Sequence, residues 1–174
     1  MSETRDRVAL IVGAVLAVLL QVMLAPNIAV FAAMPNFVAV YALLVAIVRP
    51  TTSGPVLPFV LGLTFDLVSG GPVGAMAFLL VLVTFLASRA FMVLDNDTLF
   101  MPLVIFMVGM LVVETLYGAL LMAFGFDAGA LDVFIYRALP CALYDCAIGL
   151  ILYPLAARVL ALATPAQPGS PHLR

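Results

Sequence analysis

The sequence predicts an all-α polytopic membrane protein with six transmembrane helices, and three observations carry that prediction. Of its 174 residues, 66% are hydrophobic and 9% charged, with a mean hydropathy of +1.29; a soluble domain holds about 45–50% apolar and about 25% charged residues, which excludes a water-soluble globule. The apolar residues gather into runs that approach the roughly 20 needed to cross a bilayer as helix. The arginines fall on one side of a six-span layout, as cytoplasmic positive charge does. The cationic residues are all Arg and are scattered, so no basic face points to nucleic acid or anionic lipid as a partner.

The elements follow in order along the chain. Val8 to Ala25 forms the first span, closed by Pro26 and Asn27. Charged residues precede it, but no small-residue cleavage site follows, so it reads as a mature helix and not a signal peptide. Residues 28–34 form a short outer loop or re-entrant turn. The second helix begins near Pro35, at the Met34-Pro35-Asn36 break, and stops at Arg49-Pro50. After a turn at Thr51 to Gly54, the third helix runs from Pro55 to Ser69 and ends at Gly70-Gly71-Pro72. Gly74 to Leu94 is the fourth. Asp95-Asn96-Asp97-Thr98 supplies an N-cap for a fifth helix over about residues 98–124, with Pro102 in its first turn. Gly125 to Leu131 is a loop, and the sixth helix, Asp132 to about Leu162, is longer than a bilayer needs. Residues 1–163 thus make one transmembrane domain. Residues 164–174, with three prolines and the only histidine, His172, form a disordered tail.

With both termini cytoplasmic, Arg5, Arg7, Arg49, Arg89, Arg158 and Arg174 all lie inside, and the outer loops carry Asp127 and Asp132. Arg137 is the exception. It joins Asp66, Glu114 and Asp145 as an ionisable residue within a predicted span. Each costs roughly 2.5–3.5 kcal/mol if isolated at the bilayer centre, so each is expected to face protein or water and to have a partner. At about 1.5 Å per residue, Asp66 lies roughly 5 Å below the outer helix ends, Arg137 roughly 8 Å, Glu114 roughly 15 Å and Asp145 roughly 20 Å. Matched depth predicts an Asp66–Arg137 pair, with Glu114 a second candidate for the arginine's long stem. The competing reading gives these charges only a part in fixing helix order.

Gly62, Asp66 and Gly70 recur every four residues on one helix face, a stripe that lets a neighbouring backbone approach closely. Ser69 to Gly74 then makes a tight turn that holds the third and fourth helices as a hairpin. In the first helix, Gly13 and Ala17 have the small-xxx-small spacing suited to contact with a partner. Cys141 and Cys146 point about 140° apart on one helix, too divergent for a disulfide. Catalysis finds little support: no metal-ligand spacing, nucleophile elbow or phosphate-cradling loop occurs, and no cofactor is implied. Asp66 and Asp145 differ in depth by about 15 Å, too far for the shared proton of an aspartyl protease.

The stretch Phe59-Val60-Leu61-Gly62-Leu63-Thr64-Phe65-Asp66-Leu67-Val68-Ser69-Gly70-Gly71-Pro72-Val73-Gly74 resembles the signature of the MreD family of rod shape-determining membrane proteins. In that family a glycine-spaced helix ends in an Asp-Leu-x-x-Gly turn and continues into the next span. Arg137-Ala138-Leu139-Pro140, Tyr144-Asp145 and Tyr153-Pro154 are similar to the family's last helix. The resemblance covers about residues 8–160. It implies a non-enzymatic subunit of the bacterial cell-elongation machinery in the cytoplasmic membrane. The implied partners are MreC, a single-span coiled-coil protein, with actin-like MreB, the glycosyltransferase RodA and a class B penicillin-binding transpeptidase. It also implies a helical arrangement similar to the substrate-binding components of energy-coupling-factor transporters. Asp66, Gly70, Gly74, Arg137, Pro140 and Asp145 carry over as architectural motif positions. The alternative from another class is a vitamin-binding component of such a transporter, using an outward cavity near the buried charges.

Overall fold

The computed structural model describes residues 2–30, 33–50, 54–94, 100–125 and 130–161. The polar 95–98 segment, Asp127 and the 164–174 tail lie outside the described residues. Helices α1 (Ser2–Met23), α2 (Phe37–Val48), α3 (Val56–Ser69), α4 (Ala75–Val93) and α5 (Phe100–Ala123) are followed by a short α6 (Ala130–Val133), a π-helical turn (Phe134–Ala138) and α7 (Leu139–Ala161). α6, the π turn and α7 run on as one continuous rod. A 3-10 turn, Ala25–Ile28, follows α1. Beyond it, Val30 and Ala33 exchange reciprocal backbone hydrogen bonds of 3.0 Å.

Short connections force successive helices to reverse direction. The end at which α1, α3 and α5 finish is therefore the end at which α2, α4 and the α6–α7 rod begin. The functional features collect there.

α2 is the centre of the bundle. It packs against α1, α3, α4, α5 and α7 and buries residues on every face, Leu43, Leu44 and Ile47 among them. Its uniformly apolar sequence suits a helix enclosed on all sides. At 12 residues it spans about 18 Å, short of the roughly 30 Å hydrocarbon layer. Pro35 and Asn36 before it and Arg49 after it are buried, as befits non-helical chain at membrane depth, which is tolerated where it is buried in protein or lines a cavity. Phe106 and Met110 of α5 and Met76 and Leu80 of α4 complete the core around it.

Three helices are long and apolar enough to cross a membrane: Ala75–Val93, Phe100–Ala123 and Phe134–Val159. Three shorter apolar stretches, Arg7–Met23, Phe37–Val48 and Val56–Ser69, accompany them. The outward faces are also apolar, with Ile11, Val12 and Val15 of α1 and Ile151 and Leu155 of α7 exposed. A soluble protein does not present such continuous apolar surface, whereas a lipid-facing bundle does. The chain is an all-α, multi-pass membrane protein.

Two element boundaries differ from the sequence expectation. α1 starts at Ser2 instead of Val8, because nothing among the polar residues that precede the apolar run interrupts a helix. The last helix is expected as a regular rod from Asp132, yet it widens into the π turn, where the Leu139 N–H reaches the Phe134 carbonyl. Pro140 supplies the reason. It has no N–H to donate, and its ring would collide with the carbonyl four residues back in a regular helix. One wide turn just before the proline relieves both problems, a local solution often found at functional sites.

Candidate functional site

Asp66 is 1% exposed, near the last turn of α3. Its Oδ2 accepts hydrogen bonds from the backbone N–H groups of Gly74 (2.9 Å), Met76 (3.1 Å) and Ala77 (3.3 Å), and its Oδ1 accepts from Met76 at 3.1 Å. A helix start leaves its first N–H groups without intrahelical acceptors. For α4 the account closes: Asp66 takes Gly74, Met76 and Ala77, and the Pro72 carbonyl takes Ala75 at 3.1 Å. The first intrahelical bond follows, from the Phe78 N–H to the Gly74 carbonyl. A carboxylate at the positive end of the α4 dipole gains further electrostatic stabilisation.

Glycines make this clasp geometrically attainable. A Cβ on Gly62 would strike the Cα of Ala77 and come within 2.6 Å of the Ala77 nitrogen and 2.7 Å of the Met76 carbonyl oxygen. Only a residue without a side chain lets α3 lie that close to the start of α4. Gly70 closes α3 in the left-handed region, at φ +69°, the standard αL ending of a helix.

Asn36 is the second organising residue. Its Oδ1 accepts from the Ala39 N–H at 3.0 Å, capping α2. Its Nδ2 donates to Glu114 Oε1 of α5 at 3.2 Å, and its backbone N–H donates to Asp145 Oδ1 of α7 at 2.6 Å. One residue therefore ties the start of α2 to both deep carboxylates, and all three side chains are buried. Asp145 Oδ2 has no hydrogen-bond partner among the described residues. Gln21 of α1, also buried, donates from Nε2 to the Pro35 carbonyl at 3.2 Å and so anchors α1 to the same junction.

These groups surround a cavity of about 420 Å³, lined on its polar side by Gln21, Asn36, Glu114, Tyr117 and Arg137 and elsewhere by Phe65 and Met76 among others. Arg137 projects from the π turn, exposed, with its guanidinium carbon 5.7 Å from the centre of the Tyr117 ring. Phe65 meets the same tyrosine edge to face, at 5.9 Å between centroids. The aromatic pair forms the floor on which the arginine rests.

The structure thus brings Glu114, Arg137 and Asp145 to one junction and sets Asp66 to a different task. The Asp66–Arg137 pair expected from matched depth does not form, and no ion pair joins Arg137 to Glu114 among the described residues. The physical reason is local. The unpaired N–H groups of α4 lie only eight to eleven residues from Asp66 across a tight turn, so they reach the carboxylate at lower entropic cost than a long side chain from another helix. Pro140 is half-buried behind the π turn it causes. Gly13, expected to be available for partner contact, packs within the chain instead. A Cβ there would run into the Tyr41 ring, whose hydroxyl donates to the Leu10 carbonyl at 2.8 Å. Cys141 and Cys146 are free thiols.

Asn36 and Gln21 were not among the expected site residues. Asn36 marks a helix start in the sequence, which its capping bond bears out, but its reach to two carboxylates depends on α5 and α7. Gln21 was legible as an amide within an apolar run, a residue type that seldom stays unpaired in a membrane. Among the described residues, no group of three or more His, Cys, Asp or Glu side chains could hold a metal ion.

A family model described as rod shape-determining protein MreD matches residues 4–162. No curated protein and no solved structure matches the chain.

Proposed function

Because the chain belongs to the MreD family of rod shape-determining proteins, we propose that it is a non-catalytic membrane scaffold of the bacterial cell-elongation complex. In this reading it holds an MreC-like single-span coiled-coil protein in the cytoplasmic membrane. It thereby helps a RodA-like glycosyltransferase, a class B penicillin-binding transpeptidase and MreB-like actin to position peptidoglycan synthesis. The family match over nearly the whole chain carries the reading. The geometry agrees with it, because the buried carboxylates satisfy backbone and amide donors and are not arranged around a reacting group. In this reading the three long and three shorter apolar helices all serve as spans and both termini lie inside, an orientation supported by the placement of the arginines. The cavity end of the bundle then faces outward. Isolating the chain from a native membrane tests the proposal. Stable copurification of a single-span coiled-coil protein and rounding of rod-shaped cells on depletion are expected. Unchanged cell shape on depletion would refute it.

The cavity favours one second reading, a vitamin-binding component similar to those of energy-coupling-factor transporters. Its volume of about 420 Å³ lies within the usual range of small-molecule sites, about 300–1,000 Å³. Copurification of a vitamin, or nanomolar affinity for one, would favour that reading over the scaffold.

A further inference from the structure

Glu114 and Arg137 line the same cavity but form no ion pair with each other. One Glu114 oxygen is held by Asn36 Nδ2 at 3.2 Å; the other has no hydrogen-bond partner among the described residues. The Arg137 guanidinium stacks on Tyr117 and likewise directs no hydrogen bond to any described residue. Gln21 stands beside them in the lining, its Nε2 facing the Pro35 carbonyl, which accepts but cannot donate, and its buried Oε1 has no donor among the described residues. Met34, Phe65, Met76 and Cys141 make the rest of the lining largely apolar.

Glu114 is buried and Arg137 stands exposed at the mouth of the same cavity, and a buried carboxylate without a charged or hydrogen-bonded partner is costly in an apolar bundle. A gap between them that neither side chain closes is complementary to a guest with its own separated charges. We propose that this cavity binds a small zwitterion, with a primary ammonium group donating to the free Glu114 oxygen and a phosphate or carboxylate accepting from Arg137. Arginine's planar fork suits such an anion bidentately, and an ammonium has the donors that the Glu114 side of the wall lacks. A volume of about 420 Å³ is in the range that holds one small guest. The assignment depends on the cavity alone and holds whether the bundle is a scaffold or a transporter component. The same chemistry has two sources: a free amino acid or phosphoethanolamine, and a phosphatidylethanolamine headgroup entering from the lipid.

The full chain in phosphatidylglycerol nanodiscs, which offer no ammonium group, provides the test. Thermal unfolding and calorimetry are followed with phosphoethanolamine, with ethanolamine and with inorganic phosphate, and in a second arm with phosphatidylethanolamine mixed into the disc. Saturable stabilisation by phosphoethanolamine, at least tenfold tighter than by either half alone, assigns a soluble guest. Saturable stabilisation confined to the phosphatidylethanolamine arm assigns a headgroup. Glu114→Gln and Arg137→Gln are each expected to weaken binding tenfold or more, whereas Arg89→Gln, whose guanidinium lies over Phe85, leaves it unchanged. If the cavity variants fail to fold, the wild-type comparison of the zwitterion with its halves still decides. The proposal is overturned if neither arm stabilises the protein, if ethanolamine or phosphate binds as tightly as the zwitterion, or if Arg89→Gln loses as much as the cavity variants.

Discussion

Replacing Asp66 removes the only side chain among the described residues that satisfies the start of α4. In Asp66→Ala, the N–H groups of Gly74, Met76 and Ala77 lose their acceptor at once, in an interior where water is scarce. Each orphaned buried donor costs about 1–3 kcal/mol. The three share one carboxylate, so their costs do not simply add, and a total of about 3–5 kcal/mol is expected. Asp66→Asn retains one oxygen for the three donors that Oδ2 now serves, but loses the charge and turns an amide nitrogen toward the Met76 N–H. Its cost is expected to be about 1–3 kcal/mol. At roughly 2–4 °C per kcal/mol for a chain of this size, Asp66→Ala should lower the melting temperature by about 6–20 °C and Asp66→Asn by about half as much or less. Thermal unfolding in one detergent, followed by circular dichroism, measures both. Thr64→Ala serves as the comparison, since that hydroxyl bonds only to the Val60 carbonyl on an exposed face. Two results would refute the reasoning: Asp66→Ala as mild as Thr64→Ala, or Asp66→Asn as severe as Asp66→Ala. The second would mean that charge alone, and not acceptance of these N–H groups, makes Asp66 necessary.

Four further outcomes follow from the same geometry. Asp66→Ala and Arg137→Ala should be additive in unfolding free energy to within about 0.5 kcal/mol, and a double-mutant cycle with a larger coupling would restore the ion pair that the structure lacks. Gly62→Ala drives a methyl group into the α4 backbone and should destabilise by about 1–3 kcal/mol, while Gly54→Ala, with no atom near its added carbon, should be close to neutral in the same melt. Asn36→Ala removes the α2 cap and the donor to Glu114; Asn36→Ser, which retains a capping oxygen, should recover about 1 kcal/mol of that loss in denaturant titration. Tyr41→Phe deletes the hydroxyl bonded to the Leu10 carbonyl and should cost about 0.5–1.5 kcal/mol, read most directly as faster hydrogen exchange in α1.

The sequence by itself determined the membrane class, the approximate spans, the hairpin between α3 and α4, and the family. These properties are written in local signals: apolar runs, the Pro35-Asn36 and Gly70-Gly71-Pro72 breaks, and glycine spacing around Asp66. A helix boundary or a tight turn depends on residues within a few positions of it, so it survives being read one segment at a time. Partners for the buried charges do not. Depth along a helix axis matched Asp66 to Arg137, but depth leaves open which way a helix is rotated and which donors lie nearer. Three N–H groups across the turn were nearer to Asp66, and Asn36, legible only as part of the break before α2, proved able to reach Glu114 and Asp145 once α5 and α7 packed beside it. The π turn was equally hidden. The sequence reading ran a regular helix through Pro140, and the structure relieves that proline with one wide turn that carries Arg137 to the mouth of the cavity. Local sequence set where each helix begins and ends, and the rotation and contact of helices distant in the chain decided which charges meet, because electrostatic and hydrogen-bond partners are chosen by proximity in three dimensions.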